Sequence, residues 1–137
     1  MHEYTCEIER IIDADSYRVV IDCGFGISFR TTIRLAGVDT PESRTRDKTE
    51  KIYGKAATAF AREHLKYGLR YRIKTEKAGK FGRYLGYIYV DGKTSINQLL
   101  IDNHHAVEYH GQSKADVAKL HLLNREILRL EDTNLLV

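Results

Sequence analysis

The chain of 137 residues contains a single proline, two cysteines and no long apolar run. One proline and ten glycines, without any low-complexity stretch, argue against a disordered linker. A chain of this length buries enough surface to be stable without cross-links or metal staples. No apolar run approaches the length needed to span a bilayer, so we expect no association with a membrane. The first residues lack the basic and apolar regions of a secretory signal, which favours a cytoplasmic over a secreted protein.

The charge of the chain is close to balanced. Its net charge of +3 and its isoelectric point of about 8.8 are only mildly basic. This small excess permits binding to nucleic acid but does not demand it. The length falls within the range of one domain, and no internal repeat is visible. We expect residues 1–137 to form a single domain and to act as a monomer.

The pattern of apolar residues divides the chain into strands and helices. Three strands come first, followed by a helix over 49–66, strands over 69–76 and 84–90, a short helix after residue 95 and a helix over 114–130. Consecutive strands followed by segregated helices predict an antiparallel sheet or a small barrel. We predict an α+β protein, namely a five-stranded Greek-key barrel of the oligonucleotide/oligosaccharide-binding (OB) type with three helices.

The first two alternating segments predict a hairpin centred on Ala14 and Asp15. In that register Cys6 lies opposite Cys23 on the inner face. The two cysteines are then either buried, reduced thiols that behave as small hydrophobic residues, or a disulfide. The missing secretory signal favours the reduced thiols.

The third strand and the turn after it concentrate charged residues. Arg34 projects from the polar face of this strand, just before the strand ends. Pro41 cannot donate a hydrogen bond to a strand, so residues 39–42 form a turn or loop. An arginine on a rigid strand beside the loop carboxylates Asp39 and Glu42 suits a site for a metal and a phosphate. The opposite, apolar face of the strand consists of Ile27, Phe29, Thr31, Ile33 and Leu35.

Two aspartates from separate loops are candidate metal ligands. Asp15 lies at the tip of the first hairpin, and Asp39 lies at the end of the third strand. Calcium takes carboxylate, carbonyl and water oxygens in irregular geometry, so these two carboxylates and the carbonyl of Thr40 could bind it together. Taken singly, each aspartate is also an ordinary turn residue.

Two arginines are candidates for binding a phosphate. Phosphoryl transfer needs positive charge where negative charge develops, and a guanidinium stays charged and presents a planar fork of donors. Arg34 meets this need from the third strand. Arg83 follows Gly82, where the chain can approach a ligand closely. For either arginine alone, a solvated surface residue is the better interpretation.

A basic run follows Glu42 and is interrupted by acidic residues. Its members are Arg44, Arg46, Lys48 and Lys51. The run is either a solvated loop or a contact to a polyanion that enters the neighbouring site. Lys80 is a further candidate for a phosphate contact, and Tyr109 offers a ring on which one base can stack.

We interpret the C-terminal segment as a structural element without a role in the site. Its apolar stripe predicts an amphipathic helix and consists of Val117, Leu120, Ile127 and Leu130. The histidines of this part of the chain lack a compact zinc spacing, so we interpret them as surface or packing residues. They are His104, His105, His110 and His121.

Three blocks of sequence together resemble the staphylococcal nuclease (thermonuclease) family. The blocks are IDADS at 12–16, IRLAGVDTPE at 33–42 and KFGRYLGYIYVDG at 80–92, with YGKAA at 53–57 between them. The resemblance extends from about residue 5 to residue 130. Three blocks in order and at suitable spacing are far more specific than any one of them.

The resemblance implies a five-stranded barrel with three helices and calcium-dependent cleavage of DNA and RNA that leaves 3′-phosphate ends. Independently of the resemblance, no base-reading motif is visible in the sequence, so we expect little sequence specificity and a preference for single-stranded or A·T-rich stretches. Asp15, Asp39 and the Thr40 carbonyl would bind calcium, and two arginines would bind the scissile phosphate. Glu42 would face the attacking water, either as general base or to position that water; an ordinary carboxylate is a poor base for water. The two arginines are Arg34 and Arg83.

The chain departs from the family pattern at several positions. The first block usually reads Asp-Gly-Asp-Thr, whereas this chain has Ala14 and Ser16, so its metal affinity could differ. Phe81 stands where the family often has tyrosine, which removes a hydroxyl from phosphate recognition. Tyr109 matches a family tyrosine that contacts the nucleotide.

A non-catalytic module is the competing hypothesis. Domains of this fold can lose the active site and serve as nucleic-acid-binding or scaffold domains. A scaffold has no physical need for the full set of charged residues, so their joint presence favours the enzyme. That set is Asp15, Arg34, Asp39, Glu42 and Arg83.

Overall fold

A computed structural model of the chain describes residues 2–78 and 83–131. Its strands are β1 (His2–Asp13), β2 (Ser16–Asp22), β3 (Ser28–Leu35), β4 (Val38–Asp39), β5 (Arg70–Ala78), β6 (Tyr84–Tyr89) and β7 (Val107–Glu108). Its helices are α1 (Lys48–His64), α2 (Ile96–Asp102) and α3 (Lys114–Leu128). In the described part of the chain, no helix is both long enough and apolar enough to cross a bilayer.

Within these ranges, five strands close into a barrel in the order β1-β2-β3-β6-β5. Neighbouring strands are antiparallel except β3 and β6, which are parallel, and β5 pairs with β1 to close the barrel. The prediction of an α+β, OB-like barrel with three helices is confirmed. The core inside it is made of alternating apolar residues from every strand, among them Ile8, Tyr17, Val19, Ile33, Leu35, Ile73 and Ile88.

The predicted register of the first hairpin is right at its tip and wrong beyond it. Asp13 pairs with Ser16, as a turn at residues 14 and 15 requires. Two irregularities in β1, between Ile8 and Arg10 and between Ile11 and Asp13, then each shift the pairing by one residue. Cys6 therefore faces Ile21 instead of Cys23. Both cysteines are free; Cys6 is buried as expected, but Cys23 is exposed.

The apolar face predicted for the third strand is only partly buried. Ile33 and Leu35 are fully buried, whereas Ile27 and Phe29 are 61% and 45% exposed. The reason lies in the pairing, because β6 lies beside β3 only from Ile33 to Leu35. The earlier half of β3 pairs with β2 alone and extends beyond the closed part of the barrel.

At the start of helices α1 and α2, a side chain accepts hydrogen bonds from the backbone N–H groups of the first turn. The carboxylate of Asp47 accepts from the backbone N–H groups of Thr49 and Glu50, and the Ser95 hydroxyl accepts from the N–H of Gln98. Asp47 and Ser95 are therefore the N-terminal caps of α1 and α2. Helix α1 buries small residues, including Ala57 and Ala61, against the barrel.

The short strands β4 and β7 pair with each other outside the barrel. Val38 pairs with Glu108, Asp39 pairs with Val107, and the backbone N–H of Tyr109 donates to the carbonyl of Gly37 at 2.9 Å. The segment that contains β7 is therefore extended and lies beside β4. Its pairing with β4 brings Tyr109 to the end of the barrel where β3 finishes.

The C-terminal helix is present, but its predicted packing is wrong. None of the residues of α3, all within the described range, is buried. Leu120 and Ile127 of the predicted apolar stripe are 38% and 58% exposed. The half-buried side of the helix instead includes the polar residues His121 and Asn124, which make specific hydrogen bonds to the rest of the protein.

Candidate active site

A cleft of about 970 Å³ lies between the end of the barrel and α3. The ends of β1 and β3, strand β4 and the loop after β4 all contribute to it. Six residues predicted for catalysis or metal binding line this cleft: Asp15, Arg34, Asp39, Thr40, Glu42 and Arg83. They come from three separate stretches of the chain, so the fold brings together what the sequence separates.

Arg34 lies between the two candidate ligand carboxylates. Its Nη2 atom is 3.7 Å from Oδ2 of Asp15 and 3.6 Å from Oδ1 of Asp39. The pairing of Ser16 with Arg34 across β2 and β3 fixes the arginine beside the hairpin tip. Both distances exceed that of a good hydrogen bond, so these two contacts do not use up the donors of the guanidinium.

Asp15 is held in a desolvated, strongly negative environment. Only 16% of its side chain is exposed, and its backbone carbonyl accepts from the N–H of Leu35 at 2.9 Å. Burial raises the pKa of Asp15 above its ordinary value, and the negative charges of Asp39 and Asp13 raise it further, against the lowering effect of Arg34. The ionised carboxylate is therefore only partly compensated by Arg34, and a bound cation would compensate it further.

The alanine in the first block has a packing role. Ala14 is 1% exposed and belongs to the apolar core. Its carbonyl accepts a hydrogen bond from the hydroxyl of Tyr17, which is fully buried. The methyl group thus contributes to packing where the family pattern has glycine, and the turn still places Asp15 at the cleft.

Glu42 lies on an exposed loop that is braced from two sides. Its backbone N–H donates to a carboxylate oxygen of Glu50 in α1 at 3.3 Å. The neighbouring Ser43 hydroxyl donates to the carboxylate of Asp13 at the end of β1. The loop passes so close to Gly54 that a Cβ there would lie 2.2 Å from the carbonyl oxygen of Glu42. Helix α1 therefore determines where this loop can lie.

The oxygen atoms of this site suit a hard divalent cation. Asp15 and Asp39 both line the cleft beside Thr40, which is 6% exposed. In residues 2–78 and 83–131, no group of three His, Cys, Asp or Glu side chains is arranged so that these side chains alone could hold a metal ion. Two carboxylates would therefore need help from a carbonyl and from water, a mixture of oxygen ligands that hard divalent cations accept.

The residues predicted to bind substrate do not all reach the cleft. Tyr109 and Arg44 line it, and the Tyr109 ring lies 6.0 Å from Cζ of Arg34. Arg46 and Lys48 are exposed on the loop before α1 and in its first turn, beside the described lining rather than in it. Lys80, like Phe81, lies outside the described residues.

His121 is the site residue that the sequence analysis missed. Its Nε2 atom lies 2.7 Å from Oδ2 of Asp39, the oxygen that does not face Arg34. The sequence analysis interpreted this histidine as a surface or packing residue and did not predict its contact with Asp39. His105 does pack, with its ring 4.9 Å from that of Phe60. His121 and Asp39 are 82 residues apart, so no local spacing could have signalled their contact.

Comparison with known proteins agrees with the geometry. The family model described as staphylococcal nuclease homologue matches residues 32–128. The chain is 32% identical over 104 residues to the endonuclease YncB of Bacillus subtilis (strain 168), which covers 74% of this chain and 47% of that protein. It is 30% identical over 100 residues to the thermonuclease of Staphylococcus hyicus, with 72% and 56% covered.

A third relative is more similar over a shorter stretch. The thermonuclease of Staphylococcus intermedius is 37% identical over 84 residues, which cover 61% of this chain and 47% of that protein. The chain spans about half the length of each of these relatives. The residues that the family model matches run from the end of β3 to α3 and include Arg34, Asp39, Glu42 and Arg83; β1, β2 and Asp15 lie before them.

Proposed function

This chain belongs to the staphylococcal nuclease family, and we therefore propose that it hydrolyses phosphodiester bonds of DNA and RNA in a calcium-dependent reaction. The observation that carries the proposal is the position of Arg34 between Asp15 and Asp39, at 3.7 and 3.6 Å, in a cleft that Glu42 and Arg83 also line. A purely structural domain gains nothing from two partly buried carboxylates around an arginine, because their desolvation costs stability.

The proposed roles follow from the chemistry of the side chains. Asp15, Asp39 and the carbonyl of Thr40 would hold calcium, which would polarise the phosphate and orient water. Arg34 and Arg83 would bind the non-bridging oxygens, where charge accumulates in the transition state.

The attacking water would lie at Glu42. This carboxylate would orient the water and accept its proton, directly or through solvent. The water oxygen forms a bond to phosphorus, the P–O5′ bond breaks, and the leaving 5′-oxygen takes up a proton. The products would be a 3′-phosphate and a 5′-hydroxyl.

Substrate binding would involve few contacts outside the reacting phosphate. Tyr109 offers an exposed ring at the cleft, and Arg44 adds a cation. Lys80, Arg46 and Lys48 remain proposed contacts to the flanking strand. Such contacts carry no base-specific pattern, so we propose little sequence specificity and a preference for single-stranded or A·T-rich stretches.

The test is cleavage of a labelled single strand by the purified chain after removal of metal. We expect cleavage with Ca²⁺, poor cleavage with Mg²⁺ and none with a chelator. New 5′ ends should accept phosphate from a polynucleotide kinase without prior phosphatase treatment. Equal turnover in Mg²⁺ would contradict the calcium assignment, and binding without cleavage would indicate the non-catalytic module.

A matched pair of variants excludes a contaminating nuclease. Arg34→Ala removes the arginine of the cleft, and we expect it to lower kcat by about 10²- to 10³-fold. Arg30→Ala removes an arginine from the same face of β3, where it lies 2.6 Å from Glu9 on the exposed side. Arg30→Ala should keep the activity of the unchanged protein.

A further inference from the structure

Helix α3 is attached to the site by polar contacts rather than by an apolar face. His121 contacts Asp39 at 2.7 Å, the side-chain amide of Asn124 donates to the carbonyl of Ala106 at 3.2 Å, and the hydroxyl of Tyr53 donates to the backbone carbonyl of Arg125 at 3.3 Å. Hydrogen bonds of this kind fix the rotation of a helix about its axis. One particular side of α3 is therefore held towards the cleft.

That side forms a continuous surface. Its residues recur every three or four positions, which places them along one face of a helix. Its first and last members are eleven positions apart, a rise of about 16 Å at 1.5 Å per residue. We call this surface the α3 wall; it consists of Lys114, Val117, Ala118, His121, Leu122 and Arg125.

The charge of the cleft shows what the α3 wall contributes. Five acidic side chains line the described part of the cleft: Asp13, Asp15, Asp39, Glu42 and Glu50. Five basic side chains line the same part, and α3 supplies two of them, Lys114 and Arg125. A polyanion that enters this cleft meets strong repulsion unless cations offset the carboxylates. The wall supplies a large share of that positive charge.

The ends and the middle of the α3 wall differ in chemistry. Lys114 is an exposed cation at one end. Arg125 lies at the other end, with its Cζ atom 5.4 Å from the centre of the Tyr53 ring. The charge of Arg125 contributes to lowering the pKa of Glu131, so the two side chains interact. Between them, Leu122 leaves 54% of its apolar side chain exposed on the cleft wall. Cations around an apolar strip match the alternation of phosphates with sugars and bases in a single strand.

We propose that the α3 wall is a binding subsite for the nucleotides that flank the scissile phosphate. Lys114 and Arg125 contact phosphates of the strand, and Leu122 and Val117 contact its sugars or bases. The identity of the ligand as a single-stranded nucleic acid rests on the proposed function. The subsite increases the affinity for a nucleic-acid polymer. It lies on the opposite side of the cleft from the barrel.

The test compares residues of the α3 wall with matched residues elsewhere on α3. Leu122 and Leu123 are both 54% exposed, but of the two only Leu122 belongs to the described lining. Lys114 and Lys119 are both exposed, and again only the first belongs to that lining. The variants are therefore Lys114→Ala and Leu122→Ser, with Lys119→Ala and Leu123→Ser as controls.

Two measurements separate this inference from the proposed function. Calcium-free titration of a fluorescent single-stranded oligonucleotide should show binding on the order of fivefold weaker for each wall variant. Lys114→Ala should also lower the slope of log affinity against log salt by about 0.7. The ratio of kcat/KM for the oligonucleotide to that for a one-nucleoside nitrophenyl phosphodiester should fall for the wall variants and stay unchanged for the controls.

Each outcome decides the matter. Wall and control variants that bind equally would overturn the inference, as would a protein that does not bind the oligonucleotide at all. An equal loss on both substrates would also overturn it, since the wall would then act on the reacting site. If the unchanged protein fails to cleave the small diester with calcium, the proposed function fails, while the calcium-free titration still tests the α3 wall.

Discussion

Gly54 in α1 lies directly against the backbone of Glu42. A Cβ atom on Gly54 would lie 2.2 Å from the carbonyl oxygen of Glu42 and 2.5 Å from the backbone nitrogen of Ser43. These atoms are backbone, so they can give way only if the whole loop moves. The absence of a side chain at this one helical position lets the loop that carries Glu42 lie beside the cleft.

We predict that Gly54→Ala damages activity although alanine favours helix formation by about 1 kcal/mol over glycine. The loop must move away from α1, and a displacement of about 1 Å near the chemistry can cost on the order of 10²-fold in rate. The measurement is kcat/KM on an oligonucleotide together with the melting temperature. Gly92→Ala is the control, because no heavy atom of the described residues lies within 4 Å of a Cβ there. A Gly54→Ala variant with unchanged kcat/KM would show that the loop position does not matter.

The sequence predicts the barrel well because its strands follow a period of two. Alternation places Ile33 and Leu35 inward and Arg34 towards the cleft, and the structure agrees. The first hairpin shows the limit of this rule. Its two irregularities leave no visible signal in composition, yet they change the partner of Cys6 from Cys23 to Ile21. Each such irregularity moves the pairing of all later residues by one position, so the shifts add up along the strand.

The candidate site was predictable where it depends on local blocks and unpredictable where it depends on tertiary contacts. Asp15, Arg34 and Asp39 lie in recognisable blocks, and the fold brings them to one cleft. The contact between His121 and Asp39 depends on how α3 is placed. The apolar period of α3 favours burial of Leu120, but hydrogen bonds to Asp39, Ala106 and Tyr53 orient the helix otherwise.

We predict that the two cysteines differ sharply in reactivity. Burial, assisted by the charge of Glu7, raises the pKa of Cys6 to about 12, so this thiol stays protonated and shielded. Cys23 is exposed. Iodoacetamide at pH 8 should therefore modify one thiol of the native protein and two after denaturation, as counted by mass spectrometry. In Cys23→Ser the native protein should remain unmodified. Equal labelling of both native thiols, or a mass two hydrogens short before reduction, would refute the assignment.

We predict that lysine cannot replace arginine at either proposed phosphate contact. Arg34→Lys and Arg83→Lys keep the charge but lose the planar fork, which should cost roughly 2.7–4 kcal/mol of transition-state stabilisation. The expected loss is therefore in kcat, with a smaller change in calcium-free binding of the oligonucleotide. Arg30→Lys, on the exposed face of the same strand as Arg34, is the control. Wild-type kcat/KM in both lysine variants would contradict the proposed contacts.

We predict that Asp15→Asn stabilises the metal-free protein and abolishes its stabilisation by calcium. In the metal-free fold, burial together with the charges of Asp39 and Asp13 outweighs the attraction of Arg34. The pKa of Asp15 is therefore raised, and the ionised carboxylate lowers the stability of the fold at neutral pH. Asparagine has nearly the same size and removes that charge. Removal of one such unfavourable charge raises the free energy of unfolding by about 0.5–2 kcal/mol, which corresponds to a rise of several degrees in the melting temperature.

Melting curves with chelator and with Ca²⁺ measure both effects of Asp15→Asn. The unchanged protein should melt at a higher temperature in Ca²⁺, because a ligand that binds only the native state stabilises it, whereas Asp15→Asn should show little shift. Asp22→Asn is the control, since hydrogen bonds from Gly24 and Arg70 lower the pKa of Asp22 and its charge favours the fold. This control should not raise the melting temperature and should keep the calcium shift. A calcium shift of full size in Asp15→Asn would remove Asp15 from the proposed metal site.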